Sequence, residues 1–359
     1  MLLSDMGASV VKVEQPGLGD YMRATPPTGK GASPVHAFVN RNKRSIGINL
    51  KTEEGRGVLR RLLKEADVFI EGFRPGAMKR LGFSFESAKQ VNNRIVYCSI
   101  SAYGQRSRLS SMPGHDINFQ AMAGTLGYSV PPSVPQLQLS DMVSGSYAAL
   151  AIVGALMKRQ SAIYIDVPMV PSLLSWMVLP TASYLVTGHA PNEGDSLIFG
   201  STPYYNIYQT SDEKFLAIAA IEDQFWHNLV AKIGAPELEG KRFGTPRERS
   251  EVGRRLTGIF ASKTRDEWAH LLMEGETCVT PVLSVDEALA SEWAKANSML
   301  VRVSGNGVVL NWPVRSRPRM RKGAFTAAPT LGRDTDRVLA SLGYNAKDTA
   351  RLHKTGAVD

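Results

Sequence analysis

Thr52-Glu53-Glu54-Gly55-Arg56-Gly57-Val58-Leu59-Arg60-Arg61-Leu62-Leu63-Lys64-Glu65-Ala66-Asp67-Val68-Phe69-Ile70-Glu71-Gly72-Phe73 reads as a helix followed at once by a strand, and this stretch sets the fold class. Thr52 offers a hydroxyl to the first unsatisfied amides, and Glu53 and Glu54 place negative charge in the first turn. Val58, Leu59, Leu62, Leu63 and Ala66 recur at the spacing of one helix face. At residues 67–73 the pattern changes to a short apolar run, expected as a buried strand. Upstream, residues 8–14 are a β-branched run bounded by Gly7 and Pro16, preceded by the last turn of a helix at Leu2, Leu3 and Met6. A Gly- and Pro-rich loop over 15–34 leads to a second strand at 44–50. Downstream come short helices at 75–81 and 85–91 and a strand at 94–101. This alternation predicts one parallel α/β sheet over the first hundred residues.

Residues 101–113 are polar and loop-like and deliver the chain to Gly114-His115-Asp116. A short helix at 118–124 and a Pro-rich loop at 130–135 follow. Asp141 stands ahead of a helix expected at 145–158, whose Ala148, Ala149, Ala151, Gly154 and Ala155 allow close packing, and a strand follows at 162–169. Composition shifts near Thr187. Beyond a loop at 188–203, two antiparallel strands at 204–210 and 215–221 flank a turn at Ser211-Asp212-Glu213. A helix at 223–233 carries Phe225, Leu229 and Ile233 on one face, and Thr264-Arg265-Asp266-Glu267 forms a capping box. The last sixty residues, with a helix near 338–342, are too few for a core of their own. The expected organisation is a large, Rossmann-like α/β domain (1–186), a smaller α+β domain (187–300), and a return to the large domain (301–359).

The composition narrows the function classes. With 359 residues and 43% hydrophobic content, the chain can bury a large core. The apolar run 171–186 is interrupted by Pro180 and falls short of the ~20 residues a bilayer span needs, so no membrane partner is expected. The N-terminus lacks the pattern of a signal peptide, and Cys98 and Cys278 lie far apart, which fits a reducing, cytoplasmic setting. The net charge of +9 gathers partly in clusters at 41–44 and 315–322 without aromatic interleaving, which points away from nucleic acid and toward a small phosphate-bearing molecule. Phosphate-binding and nucleophile-elbow motifs are absent, as is the zinc-protease signature.

The chemistry-bearing stretch is Gly114-His115-Asp116-Ile117-Asn118-Phe119, with Ser140-Asp141-Met142 further on. An imidazole and carboxylates in a charge-poor region suit proton transfer. Plainer readings stand beside this one. Asp141 reads equally as a helix cap, a lone histidine next to glycine is commonly structural, and Glu222 can simply favour a helix start.

Several segments resemble class III CoA-transferases, the CaiB/BaiF superfamily, in order and spacing. They are residues 3–14, Asn40-Arg41-Asn42-Lys43-Arg44-Ser45-Ile46, Glu71-Gly72-Phe73-Arg74-Pro75-Gly76 with Arg80-Leu81-Gly82, residues 97–105, and Gly114-His115-Asp116. The likeness extends to Leu331-Gly332-Arg333-Asp334. It implies that Asp141 is the catalytic aspartate, and that His115 with Glu222 marks the α-methylacyl-CoA racemase branch rather than the transferases. It also implies contacts to coenzyme A at Ile48, Leu50, Lys51, Gly72, Phe73, Arg80, Leu81 and Gly114, with Met122 and Met142 lining an acyl channel.

By this resemblance the chain is an acyl-CoA enzyme that inverts an α carbon with a base on each face, His115 and Asp141, the latter supported by Glu222. Amides near Gly145 are expected to hold the enolate. This chemistry asks for no metal, and coenzyme A enters as part of the substrate. The alternatives are CoA transfer between acids through an aspartyl intermediate at Asp141, and a non-catalytic family member. The family further implies an interlocked homodimer, and it ordinarily carries about twenty residues ahead of the position of Met1 and a basic residue where Gln15 stands.

Overall fold

In the computed structural model, which describes residues 1–28, 33–128, 131–191, 200, 202–304, 307–320 and 323–359, Thr52 caps its helix as expected. Its Oγ1 accepts the Gly55 N–H at 3.1 Å. The loops expected at 15–34, 130–135 and 188–203 and the basic cluster at 315–322 fall partly outside the described residues.

Two units make up the chain. Unit 1 comprises Met1–Thr125, Val134–Trp176 and Ser291–Asp359, and unit 2 comprises Leu126–Ser133 and Met177–Ala290. Unit 1 begins with α1 (Leu2–Asp5), β1 (Val10–Glu14), α2 (Pro34–Asn40), β2 (Lys43–Gly47), α3 (Glu53–Glu65), β3 (Val68–Glu71), α4 (Ala77–Arg80), α5 (Phe85–Val91) and β4 (Val96–Ser101). It continues through α6 (Asp116–Ala123), α7 (Leu139–Lys158), β5 (Ile163–Pro168) and α8 (Met169–Leu174). Unit 2 carries α9 (Val178–Thr187), β6 (Tyr205–Gln209), β7 (Phe215–Ala219), α10 (Asp223–Lys232), α11 (Pro246–Phe260), α12 (Arg265–Leu272), β8 (Val279–Pro281) and α13 (Val285–Ala290). The chain re-enters unit 1 with α14 (Glu292–Ala296), β9 (Leu300–Arg302), β10 (Val308–Leu310), α15 (Thr335–Ser341) and α16 (Ala346–Lys354).

Pairing in the first part of unit 1 is parallel, as the alternation predicts, but it forms two hydrogen-bonded groups, β1–β2 and β3–β4–β5, rather than one sheet. The second group includes β5, drawn from beyond the first hundred residues. β4 lies at its centre. Alternate side chains of a strand point to opposite faces, and β4 buries both. Tyr97 packs with Leu59, Leu63 and Phe83 on the α3 side, its hydroxyl donating to Phe83 O at 2.9 Å. Val96 and Cys98 pack against Ala148 and Ile152 of α7 on the other. β3, expected to be buried, pairs only with β4 among the described strands, and Ile70 is exposed.

Helix α7 corrects the sequence reading most usefully. It starts at Leu139, six residues before the expected Gly145, because a distant carboxylate rather than Asp141 supplies its cap. By length and composition it is the one described helix apolar enough to cross a membrane, and it covers β4 and β5. Several elements were not expected, among them α2, the fifteen-residue α11, and α16, which with α15 buries Val338, Leu339 and Leu352 against Ile46, Ile48 and Val58. The final residues complete this cluster. Val358 bridges to Ile48, and the Asp359 carboxylate lies so close to Gly47 that a Cβ there would fall 2.0 Å from it. In unit 2, the antiparallel β6–β7–β8 sheet packs on Trp226, Leu229, Leu256, Phe260 and Trp268. The capping box at Thr264 and Glu267 is present.

One buried ion pair ties the start of unit 1 to its end. Arg41 donates to both Asp5 oxygens, at 2.6 and 3.1 Å, and Asn42 Nδ2 donates to Asp5 Oδ1 at 2.8 Å. The Arg41 guanidinium sits 5.1 Å from the centre of the Phe325 ring, and Asn42 exchanges two hydrogen bonds with the backbone of Thr326. Removing one member of such a pair strands a buried charge. Arg41→Met is expected to lower unfolding free energy by about 3–5 kcal/mol, and a double Asp5→Leu/Arg41→Met variant to recover much of it. Urea denaturation checks this, and a loss below about 1 kcal/mol for the single variant would contradict it.

Candidate active site

The starts of α6 and α7 meet through one side chain. Asp116, buried at the first residue of α6, accepts from the Ser140 N–H at 2.8 Å and from the Asp141 N–H at 3.3 Å, and also takes the Ser140 hydroxyl. Its second oxygen receives Gln120 Nε2 at 2.5 Å, and the same amide group donates to Leu137 O at 2.8 Å. These amides belong to the first turn of α7, which the helix cannot satisfy itself. Asp116 therefore caps a helix 25 residues away. Asp141 is the third residue of α7, inside its first turn and not at its cap.

His115 is the N-cap residue of α6 and is exposed. Asn118 Oδ1 accepts the His115 N–H at 3.0 Å, and His115 O accepts the amides of Asn118 and Phe119. Gly114 is required by contact rather than by backbone angle: a Cβ there would fall 2.6 Å from Phe119 Cε1. The Phe119 ring in turn meets Tyr103 edge-on, with centroids 5.9 Å apart. Ala123, Val143 and Leu173 join α6, α7 and α8 beneath.

Electrostatics single out Asp141. Burial raises its pKa above the ordinary carboxylate value, and the neighbouring charge of Asp116 raises it further, while His115 draws it partly back. The Asp141 carboxyl thus lies within the influence of the imidazole. Gly145, expected to start the helix and offer an enolate-binding amide, lies deep enough in α7 for its N–H to be bonded within the helix. The amides that open α6, of Asp116 and Ile117, are the ones the helix leaves free of internal acceptors.

Glu222 belongs to unit 2, as the exposed N-cap residue of α10, where its charge helps raise the Cys278 thiol, after the larger effect of burial. Its neighbour Asp223 pairs with Arg242. His115 and Asp141 are brought together in unit 1.

The residues expected to meet coenzyme A line the ends of β2 and β3 and helix α4. Gly72, Phe73, Lys51 and Arg80 are exposed, and Leu50 and Leu81 are half-buried in one cluster with Leu59 and Phe83. Ile48 is core, 2% exposed, with its N–H bonded to Glu14 O at 2.9 Å and its backbone bridged to Val358, so the structure buries it rather than presenting it to a ligand. Among the described residues no three His, Cys, Asp or Glu side chains gather as a metal would need. Sequence reasoning missed the roles of Gln120 and Ser140 and counted Asp116 among the chemistry-bearing carboxylates, whereas the structure uses it to cap α7. The four-residue spacing of Asp116 and Gln120 was the only local signal.

This arrangement has relatives. The chain is 30% identical to human "Alpha-methylacyl-CoA racemase", covering 100% of this chain and 92% of that protein. It is 32% identical to the "Acetyl-CoA:oxalate CoA-transferase" of Acetobacter aceti, covering 90% and 87%. Among solved structures, a CAIB/BAIF family protein from Brucella suis superposes with a TM-score of 0.82 at 28% identity, covering 95% of this chain and 93% of that one. A sequence model of CoA-transferase family III matches residues 1–335, and the chain belongs to that family.

Proposed function

We propose that the protein racemises the α carbon of 2-methylacyl-CoA thioesters by two-base proton transfer. The observation that carries this reading is the juxtaposition of His115 and a raised Asp141 at two adjoining helix starts. A proton next to a thioester carbonyl is weakly acidic, so its removal needs a positioned base and its return to the other face needs a positioned acid. One of the pair takes the proton while the other, protonated, delivers one to the opposite side. A carboxyl raised above its ordinary value is a better proton carrier near neutrality than an unperturbed one. The opening amides of α6 are well suited to the enolate oxygen, because helix N-termini favour negative charge. Coenzyme A enters as part of the substrate and is held at Leu50, Lys51, Gly72, Phe73, Arg80, Leu81 and Gly114.

The similarity to the human racemase supports this reading, while that to the oxalate CoA-transferase supports a second, in which Asp141 attacks the thioester and carries CoA between acids. Against the second stands the need for an ionised nucleophile, which the raised Asp141 disfavours. We further propose a cytoplasmic homodimer, supported by the exposed apolar side chains Leu150 and Met157 on α7 and Leu185 and Val186 on α9.

Incubated in heavy water with one epimer of a 2-methylacyl-CoA, the protein is expected to place deuterium at the α carbon as optical purity falls; retention of the α proton would sink the racemase reading. His115→Ala and Asp141→Asn should each slow exchange by roughly 10²- to 10⁴-fold. An Asp141 adduct formed from the donor acyl-CoA and trapped by hydroxylamine, together with a new CoA thioester that appears only when an acceptor acid is added, would instead establish transfer.

The pH profile provides a second check. In the direction where Asp141 is the base, rate rises as pH climbs through its elevated pKa. Asp116→Asn removes the repelling charge but keeps an acceptor for Ser140, so the acidic limb of the profile should move to lower pH. An unmoved or upward-shifted limb would contradict the proposed coupling.

A further inference from the structure

Glu71, Ser99 and Asp166 stand in one row across the three parallel strands β3, β4 and β5, each the register partner of the next. Glu71 is 8% exposed and uses both oxygens. One accepts the Ser99 hydroxyl, and the other accepts the Phe73 N–H at 2.9 Å. Gln105 closes the row from above, with Nε2 donating to Ser99 Oγ at 2.7 Å and its backbone N–H to Asp166 Oδ2 at 2.9 Å. Burial raises the Glu71 pKa, and the charge of Asp166 adds to this.

A carboxylate buried at a strand end is costly unless it is bonded, and here one oxygen is bonded to the neighbouring strand and the other to the segment that leaves β3. The Phe73 amide is the second one beyond β3, where the chain turns toward α4. The turn displays an aromatic ring, Phe73, 52% exposed, beside the exposed cation Arg74. An exposed ring next to a cation suits a flat base carrying phosphate, and ligands of parallel sheets bind outside the carboxyl ends of the strands. Without Glu71, the Phe73 amide loses its acceptor and the ring loses its fixed place.

We propose that Glu71 is a positioning residue for the nucleotide end of the substrate: anchored through Ser99 and Gln105, it fixes the Gly72-Phe73 turn against which the base of coenzyme A lies. The proposal rests on the acyl-CoA reading above. It predicts a specific split, because the turn serves binding and is not part of the proton-transfer pair. In folded Glu71→Ala protein, affinity for CoA and for adenosine 3′,5′-bisphosphate should weaken together by about tenfold, while kcat on saturating acyl-CoA stays within about twofold of wild type. Glu71→Gln, which keeps an acceptor for the Phe73 amide, should recover most of the lost affinity.

Calorimetric titration with both ligands and steady-state kinetics read these outcomes, with thermal unfolding to confirm that each variant is folded. If Glu71→Ala does not fold, Glu71→Gln and Ser99→Ala still decide the matter: Ser99→Ala should weaken both ligands by a smaller factor than tenfold. Unchanged nucleotide affinity in folded variants, or a fall in kcat at constant KM, overturns the proposal while leaving the acyl-CoA reading intact. Wild-type protein that binds neither ligand overturns both.

Discussion

A single buried carboxylate, Asp116, decides how the starts of α6 and α7 meet in unit 1. Its bonds to Ser140, Asp141 and Gln120 hold the first turn of α7 against the first turn of α6. Each helix start has amides that its own ladder leaves unpaired, so joining two starts through one acceptor satisfies α7 and orients both. His115 lies immediately before this clamp and Asp141 immediately after the capped Ser140. Their separation is therefore fixed by short, covalently adjacent spans rather than by long side chains. The same charge that holds the helices also raises Asp141, so structure and reactivity come from one group.

That arrangement explains which parts of the chain were legible in advance. The strand and helix alternation of unit 1 announces itself because periodicity is local: Thr52 caps within three residues, and Val58, Leu59 and Leu63 mark their face within two turns. The start of α7 was misread because its cap comes from Asp116, and nothing near Ser140-Asp141 reveals it. Likewise, the Asp5–Arg41 pair joins residues 36 positions apart, and both charges look like surface charges in the sequence. Helix α2 was missed because its seven residues, opening on Pro34 at the end of a Gly- and Pro-rich loop, are too few to establish a periodicity. The split of the parallel strands into two groups could not be read, since strand order is settled by packing between layers.

Site residues show the same division. His115 and Asp141 were recognisable by residue type within a family pattern, and the fold of unit 1 brings them together. Ile48 was named by position in that pattern, yet it lies in the core, because a likeness in spacing carries no information on which side chains the fold buries. Glu71 is the converse case. It sat inside a quoted motif, Glu71-Gly72-Phe73, and drew no attention because a carboxylate at a strand end looks solvated until Ser99 and the Phe73 amide are seen to enclose it.

The family hosts both acyl transfer and proton transfer, and the chemical environment of one aspartate separates the two tasks. A nucleophile must be ionised when it meets the thioester, which favours hydrogen-bond donors and positive neighbours around it. A proton carrier must exchange its proton near the working pH, which favours partial burial and a like charge nearby. Asp141 has the second kind of surroundings: burial and Asp116 push it up, and the opposing influence of His115 is the smallest of the three. The imidazole limits how far Asp141 is raised, and in the proposed racemisation it would also be the acid–base group for the opposite face. Changing His115 alone would alter the proton affinity of the aspartate, because the imidazole is the one group that draws the raised carboxyl back down.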